Sequence, residues 1–193
     1  MSYKTNLLLQ ENCFFHIYNR GVNQDKIFFS RDNYLYFLQK LRRYRDQFQI
    51  SIVCYCLMPN HFHLLILQKL PNSISTFMKL TTNSYVKAVN KRLGRSGHLF
   101  ESKYKIKPIN TDDYLLHLSR YLHLNPVTAK LVNNPEDWEF SSFRDFIGLR
   151  RGTLPEPDYV LRSFTSKPDY IEFVRGFKPT DLELIKEYIY AWK

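Results

Sequence analysis

The chain reads as an α+β fold of the ferredoxin-like, RRM-like class: a split-βαβ antiparallel sheet with helices on one face, plus a C-terminal helical extension. Three observations predict it. Short runs with the two-residue period of a strand and longer runs with the 3.6-residue period of a helix follow one another in the order β-α-β-β-α-β. The two central runs are separated only by Pro59-Asn60, which punctuates a hairpin. Beyond residue 111 the pattern is helical, so no further strands are called for.

Taken in order, residues 13–20 (CFFHIYNR) form a short aromatic strand that stops at Gly21. Ser30 or Asp32 can cap a helix whose apolar stripe is Tyr34, Phe37, Leu38, Leu41, Tyr44 and Phe48, with Lys40, Arg42 and Arg43 on its other face. ISIVCYCLM (50–58) and HFHLLIL (61–67) are the hairpin strands. After Pro71-Asn72, Ser73 opens a second helix with Ile74, Phe77, Met78, Thr81, Tyr85 and Val89 on one side. Lys87, Lys91 and Arg92 line its far end, and GRSG (94–97) stops it. HLFESKYKIKPI (98–109) alternates as a fourth strand, Phe100, Tyr104 and Ile106 facing one way and Lys103, Lys105 and Lys107 the other. Thr111 caps a helix through DDYLLHLSRYLHLN, and Pro126 marks its end at Asn125. The chain divides into a domain over 1–147 and an extension over 148–193. In the extension LRRGTLPEPD (149–158) reads as a linker, and 169–177 and 181–192 as helical pieces.

Composition narrows the function classes. A chain of 193 residues with 44% hydrophobic content and only 6 Gly has a real core and is neither disordered nor fibrous. Lys and Arg number 28 against 18 Asp and Glu, a net charge of +10, and the pI is near 9.5. Such an excess suits a polyanionic partner, because neutralised phosphates release counterions. The 14 Tyr and 15 Phe supply aromatic faces on which unpaired bases can stack, beyond those needed for the core. Three Cys at no framework spacing, two of them inside an apolar strand, fit free thiols in a reducing cytoplasm. The first residues carry no signal-peptide pattern, and no apolar run is long enough to span a membrane. Neither a P-loop nor a dense carboxylate cluster is present.

Two patterns carry chemistry. On a strand His61 and His63 project from one face and Phe62 from the other, so both imidazoles can hold one metal ion on a rigid support. The same pair can equally pack at a sheet surface. On the helix after Thr111, Leu115, Leu118 and Leu122 make the packing stripe. Tyr114, His117, Tyr121 and Asn125 form a second stripe roughly 90° away, with Tyr121 and Asn125 neighbours at i and i+4. His123 points elsewhere. The lysines at 103, 105 and 107 can track a phosphate backbone or form an ordinary solvated edge.

MPNHFHLLI and, well downstream, YLHLNPVTAKLV together resemble the single-tyrosine HUH transposases, in particular their REP-associated (IS200-like) tyrosine transposase branch. HIYNRG (16–21), GHLFESKYK (97–105) and PEDWEFSSF (135–143) support the resemblance, which spans about 13–147. It implies that His61 and His63 are metal ligands and Tyr121 the catalytic nucleophile. Asn125 matches the polar residue that completes the metal site. The metal implied is Mg²⁺ or Mn²⁺. The activity implied is metal-dependent cleavage and rejoining of single-stranded DNA near a hairpin through a 5′-phosphotyrosine. The strand around Phe100-Glu101-Ser102-Lys103 departs from the branch's usual Trp-Gln and Arg. Candidate DNA contacts are Arg20, Arg92, Arg95, Lys103, Lys105 and Arg120. The partner expected is single-stranded or hairpin DNA in a bacterial, nucleoid-associated, cytoplasmic setting, as a homodimer or a monomer. The alternative is a domesticated relative that binds hairpins without cutting. A zinc hydrolase on His61 and His63 needs a third ligand that the sequence does not offer.

Overall fold

The computed structural model describes residues 10–185. Strands β1 (Cys13–Arg20), β2 (Ile50–Met58), β3 (His61–Gln68) and β4 (Lys105–Ile109) form one antiparallel sheet in the order β2-β3-β1-β4. Helix α1 (Arg31–Gln47) connects β1 to β2 and α2 (Ser73–Leu93) connects β3 to β4, which is the split-βαβ plan. Helix α3 (Asp112–Thr128) follows β4. Three short helices come after it: α4 (Phe143–Phe146), α5 (Asp158–Leu161) and α6 (Lys167–Arg175).

Local chemistry accounts for the helix ends. Ser30 is the residue before α1, and the Asn33 side-chain oxygen accepts the backbone N–H groups of Phe29 and Ser30 at 3.0 and 3.2 Å. Gly94 ends α2 at φ 59°, the left-handed conformation that glycine adopts without penalty. Thr111 caps α3 by accepting the Tyr114 N–H at 3.2 Å. The α2 stripe of Ile74, Phe77, Met78, Thr81, Tyr85 and Val89 is buried throughout.

Helices cover both faces of the sheet, not one. α1 and α2 bury Phe15, Ile17, Tyr55, Leu57, Phe62, Leu64 and Ile66. On the opposite face α3 and the 143–174 region bury Cys54, Cys56, Met58, Leu65 and Leu67. The reason lies in β2 and β3, which carry apolar side chains in both directions and leave no face for water. A bulge between Ile52 and Cys54 resets the alternation of β2. Ile50 and Ile52 before it, and Tyr55 and Leu57 after it, therefore share the α1–α2 face.

Four segments differ from expectation. The fourth strand begins at Lys105 rather than at His98. β1 ends at Arg20 and leaves 98–104 no partner to pair with, beyond one bridge between Gly21 and Phe100. Pro126 does not end α3, which runs to Thr128. It removes one N–H from the helix, and the Asn125 and Pro126 carbonyls still accept from Ala129 and Leu131 at 2.9 Å each. The 149–158 segment lies against β2. Leu154 is buried, Pro155 bridges Ile52 in parallel, and the Glu156 N–H donates to the Ile52 carbonyl at 2.8 Å. Of the two expected helical pieces in the extension, the first is α6. The second is a 3₁₀ turn over Pro179–Ile185, and its residues 186–192 lie outside the described residues.

A buried polar network joins α3, the sheet and α6. His123 Nε2 lies 2.9 Å from Ser142 Oγ and 3.2 Å from Cys54 Sγ, and Nδ1 lies 2.8 Å from Tyr170 Oη. Burial holds the His123 imidazole down to about 3, against about 6.5 in an unfolded chain. Below pH 6.5 the unfolded chain binds the extra proton. The stability tied to the neutral ring is therefore complete above that pH and is lost as pH falls toward 3. His123→Asn should reduce the slope of unfolding free energy against pH, between pH 6 and 4, by about 1.4 kcal/mol per pH unit. Urea denaturation across that range measures it, and an unaltered slope would mean that the ring titrates normally in the folded chain.

Candidate active site

The site is built at the hairpin end of the sheet. Pro59-Asn60 forms the two-residue turn between Met58 and His61, and the 21–28 loop clamps it. The Pro59 carbonyl accepts from the Ile27 and Phe28 N–H groups at 2.8 and 3.0 Å, and the Asn60 carbonyl accepts from Gly21 at 2.9 Å. Gly21 is required by this clamp: a Cβ there would stand 2.1 Å from the Asp25 carbonyl oxygen.

In the β1–β3 register Arg20 is opposite His61, Tyr18 opposite His63 and His16 opposite Leu65. All of these point to the α3 side, away from Phe62. The His61 and His63 rings are 5.1 Å apart between centroids and nearly perpendicular. α3 brings the Tyr121 ring to 5.9 Å from His63, edge to face, within the same chain. The Asn125 side chain donates to the Tyr121 carbonyl at 3.2 Å and hydrogen-bonds His61. Four residues singled out in the sequence, His61, His63, Tyr121 and Asn125, thus converge.

Both imidazoles are neutral. Burial lowers His61 to about 4, a shift that the Asn125 hydrogen bond opposes and the Arg20 charge assists. Burial, followed by the neighbouring His61 and His16 rings, holds His63 well below the usual range. His61 Nδ1 is 2.7 Å from Asn60 Oδ1, and His63 Nδ1 is 3.0 Å from His16 Nε2. A ligand would therefore meet each ring through Nε2. Among the described residues no three His, Cys, Asp or Glu side chains gather at one point. The donor set is two neutral imidazoles and one amide oxygen, which fits a divalent ion that keeps further positions for water or substrate oxygens.

His16 is the residue that sequence reading missed: it lay inside the HIYNRG motif without a role. It is fully buried, and its ring lies 22° from parallel to His63 with centroids 5.2 Å apart and is tilted 33° to Tyr18 at 4.8 Å. The available signal was its parity with Tyr18 on a strand beside the His-x-His strand.

The six expected DNA contacts divide. Lys105 stands opposite Tyr18, and Lys107 opposite His16, so both lie on the site face at the sheet edge. Arg20, beside His61, pairs with Glu101. Lys103 is in the loop before β4, its ammonium 5.6 Å from the Tyr104 ring centroid. That loop and α2 enclose a cavity of about 830 Å³ lined by Asn19, Lys79, Lys87, Glu101 and Lys103 among others. The cavity lies on the α1–α2 side of the sheet, and its lining does not include His61, His63 or Tyr121. Arg92 pairs with Asp32 at 2.9 Å and Arg95 reaches the His98 carbonyl at 3.4 Å, both at the far end of α2. Arg120 does not face outward. It is 4% exposed, pairs with Asp181 at 2.8 Å and lies over the Phe173 and Phe177 rings, so it holds the extension rather than a nucleic acid.

No helix among the described residues is long and apolar enough to cross a membrane. A solved structure of a REP-associated tyrosine transposase bound to a REP hairpin has the same fold. The likeness covers 77% of this chain and 85% of that one, at a TM-score of 0.61 and 18% identity. No curated protein sequence matches. The family model for IS200-like transposases matches residues 9–125, from the approach to β1 through Asn125. With that match over more than half its length, the chain belongs to the IS200-like transposase family.

Proposed function

We propose that the protein cleaves and rejoins single-stranded DNA beside a hairpin, with Tyr121 as nucleophile and a divalent metal, Mg²⁺ or Mn²⁺, at His61, His63 and Asn125. The observation that carries this reading is the placement of the Tyr121 ring 5.9 Å from His63, where two neutral imidazoles and an amide meet. Family membership and the hairpin-bound relative support it.

Tyr121 Oη attacks the scissile phosphorus. The new Oη–P bond forms as the P–O3′ bond breaks, leaving a 5′-phosphotyrosine and a free 3′-OH. The phenolic proton passes to water, and the departing 3′-oxygen takes one up. A phenol of ordinary pKa near ~10 reacts well only when that proton leaves as the bond forms. What a bound divalent cation supplies is neutralisation of charge on the non-bridging phosphate oxygens. His61 and His63, fixed on β3, and Asn125, fixed on α3, hold that position relative to the nucleophile. The phosphotyrosine bond conserves the energy of the broken diester, so a second 3′-OH can reverse the step.

Tyr121→Phe should abolish the covalent protein–DNA adduct formed with a labelled hairpin oligonucleotide and Mn²⁺, while changing hairpin affinity less than about threefold, or roughly 0.6 kcal/mol. Denaturing gels read the adduct and fluorescence anisotropy the affinity. Adducts formed by the variant would remove Tyr121 as nucleophile, and no adduct from the parent protein would leave only a hairpin-binding role.

Charge removal separates the two kinds of cation. Converting Lys103 and Lys105 together to Gln should reduce the slope of log K against log[salt] by about 1 to 2. Arg120→Gln should leave that slope unchanged and lower the melting temperature, because its charge is spent on Asp181. The reverse pattern would place Arg120 on the DNA.

A further inference from the structure

We infer that His16 is a positioning residue for the metal site: through its hydrogen bond to His63 it sets which His63 nitrogen carries the proton, and so whether His63 can bind the ion. The inference rests on the metal role proposed for His63.

The argument is one of proton placement between two neutral rings. His16 Nε2 and His63 Nδ1 are 3.0 Å apart and share one hydrogen. If the proton sits on His63 Nδ1, it is donated to His16 Nε2, and the His63 Nε2 lone pair is available to a cation. If it sits on His16 Nε2, His63 Nδ1 is the acceptor and His63 carries its own proton on Nε2, the nitrogen a cation needs. The first arrangement obliges His16 to hold its proton on Nδ1. That atom is buried and meets no hydrogen-bond partner among the described residues. No third group therefore holds His16 to the opposite tautomer, so His16 Nε2 can accept from His63 Nδ1 and keep the His63 proton off Nε2.

Nothing else in the surroundings gives His16 another purpose. It is fully buried, so it cannot touch DNA, and its Nε2 is aimed at His63 rather than into the site. The His16 and His63 rings are only 22° from parallel and Tyr18 packs tilted against His16 at 4.8 Å, which keeps the shared hydrogen near the plane of both imidazoles. An outer partner that orients a metal-bound histidine and fixes its tautomer contributes about 10- to 100-fold in metal affinity.

Two substitutions isolate the hydrogen bond from the packing. His16→Phe keeps a ring against Tyr18 and His63 but accepts nothing, whereas His16→Gln offers an amide oxygen near the position of Nε2. In calorimetric titration of the full-length chain with Mn²⁺, His16→Phe should bind about 10- to 100-fold more weakly than the parent, and His16→Gln should stay within about threefold, or roughly 0.6 kcal/mol, of it. Equal affinity in the parent and His16→Phe overturns the inference while leaving the proposed function standing. Failure of the parent to bind Mn²⁺ at all removes the metal role and the inference with it. A measurement on the unmutated chain decides the matter even where His16→Phe does not fold. Two-bond ¹H–¹⁵N spectra with Zn²⁺ as diamagnetic probe should show His63 protonated at Nδ1 and His16 at Nδ1 only. A proton on His16 Nε2 in the metal-loaded protein overturns it.

Discussion

The pairing of β1 with β3 is the constraint on which the rest of the molecule depends. Because strand side chains alternate, one register sends Phe62, Leu64 and Ile66 into the α1–α2 core and His61 and His63 to the α3 side. A slip by one residue would reverse both sets. Each of those three apolar side chains stabilises the fold by about 1.5–3 kcal/mol when buried, so the slipped form would lose several kcal/mol before the displaced imidazoles were counted. The register is fixed at the turn end by the Gly21 N–H on the Asn60 carbonyl, and at the other end by Gln68, opposite both Cys13 and Ile50. The apolar core thus decides where the polar site goes. The imidazoles accept the desolvation that follows by remaining neutral, the form in which histidine binds metals.

The same logic extends to α3. Its leucines Leu115, Leu118 and Leu122 pack on the sheet, and its remaining flank is held by the extension through Tyr170, Phe173 and Asp181. Tyr121 is therefore positioned from two sides by contacts that involve no reacting group. A helix supported only at its leucine stripe could roll, and a roll of one residue would carry Tyr121 about 100° away from His63. The residues after 148 carry no chemical motif, yet they limit the roll of the helix that bears the proposed nucleophile. Preorganisation of this kind holds a side chain in one geometry without drawing on the groups of the site itself.

How much of this could be read in the sequence depended on whether the signal was local. Strand and helix periods, the Pro-Asn hairpin and the Thr111 cap are local, and they yielded the order of elements along the chain and the α2 stripe. The His-x-His pair and the Tyr121–Asn125 spacing are local too, and their convergence followed once the two elements were placed. The bulge at Val53 is invisible because every residue from Ile50 to Met58 is compatible with either face. The second helical layer was legible in principle from the same apolar run, which is too continuous for a half-exposed strand. Pro126 misled because a proline disfavours but does not forbid a helical residue before it, and tertiary packing on both sides of α3 outweighs that preference. Arg120 lies outside the leucine stripe and reads as solvent-facing on its own helix. The groups that bury it, Phe173, Phe177 and Asp181, are more than fifty residues away.

Arg20 and Arg120 illustrate how differently two arginines of one basic protein can be committed. The Arg20 and Glu101 side chains are 22% and 43% exposed, in a region where water screens them. Solvent screening weakens a pair of that kind, so a phosphate oxygen could replace the carboxylate. The Arg120 side chain is 5% exposed and stacked on two phenylalanines. Separating it from Asp181 would leave a largely covered guanidinium with only the Phe173 carbonyl and His117 as partners among the described residues, which is costlier than opening the Arg20 pair. A net charge of +10 says that a polyanion is attracted, but the depth of each ion pair decides which cations can meet it. By that criterion Arg20 is a cation that a polyanion could reach and Arg120 is not.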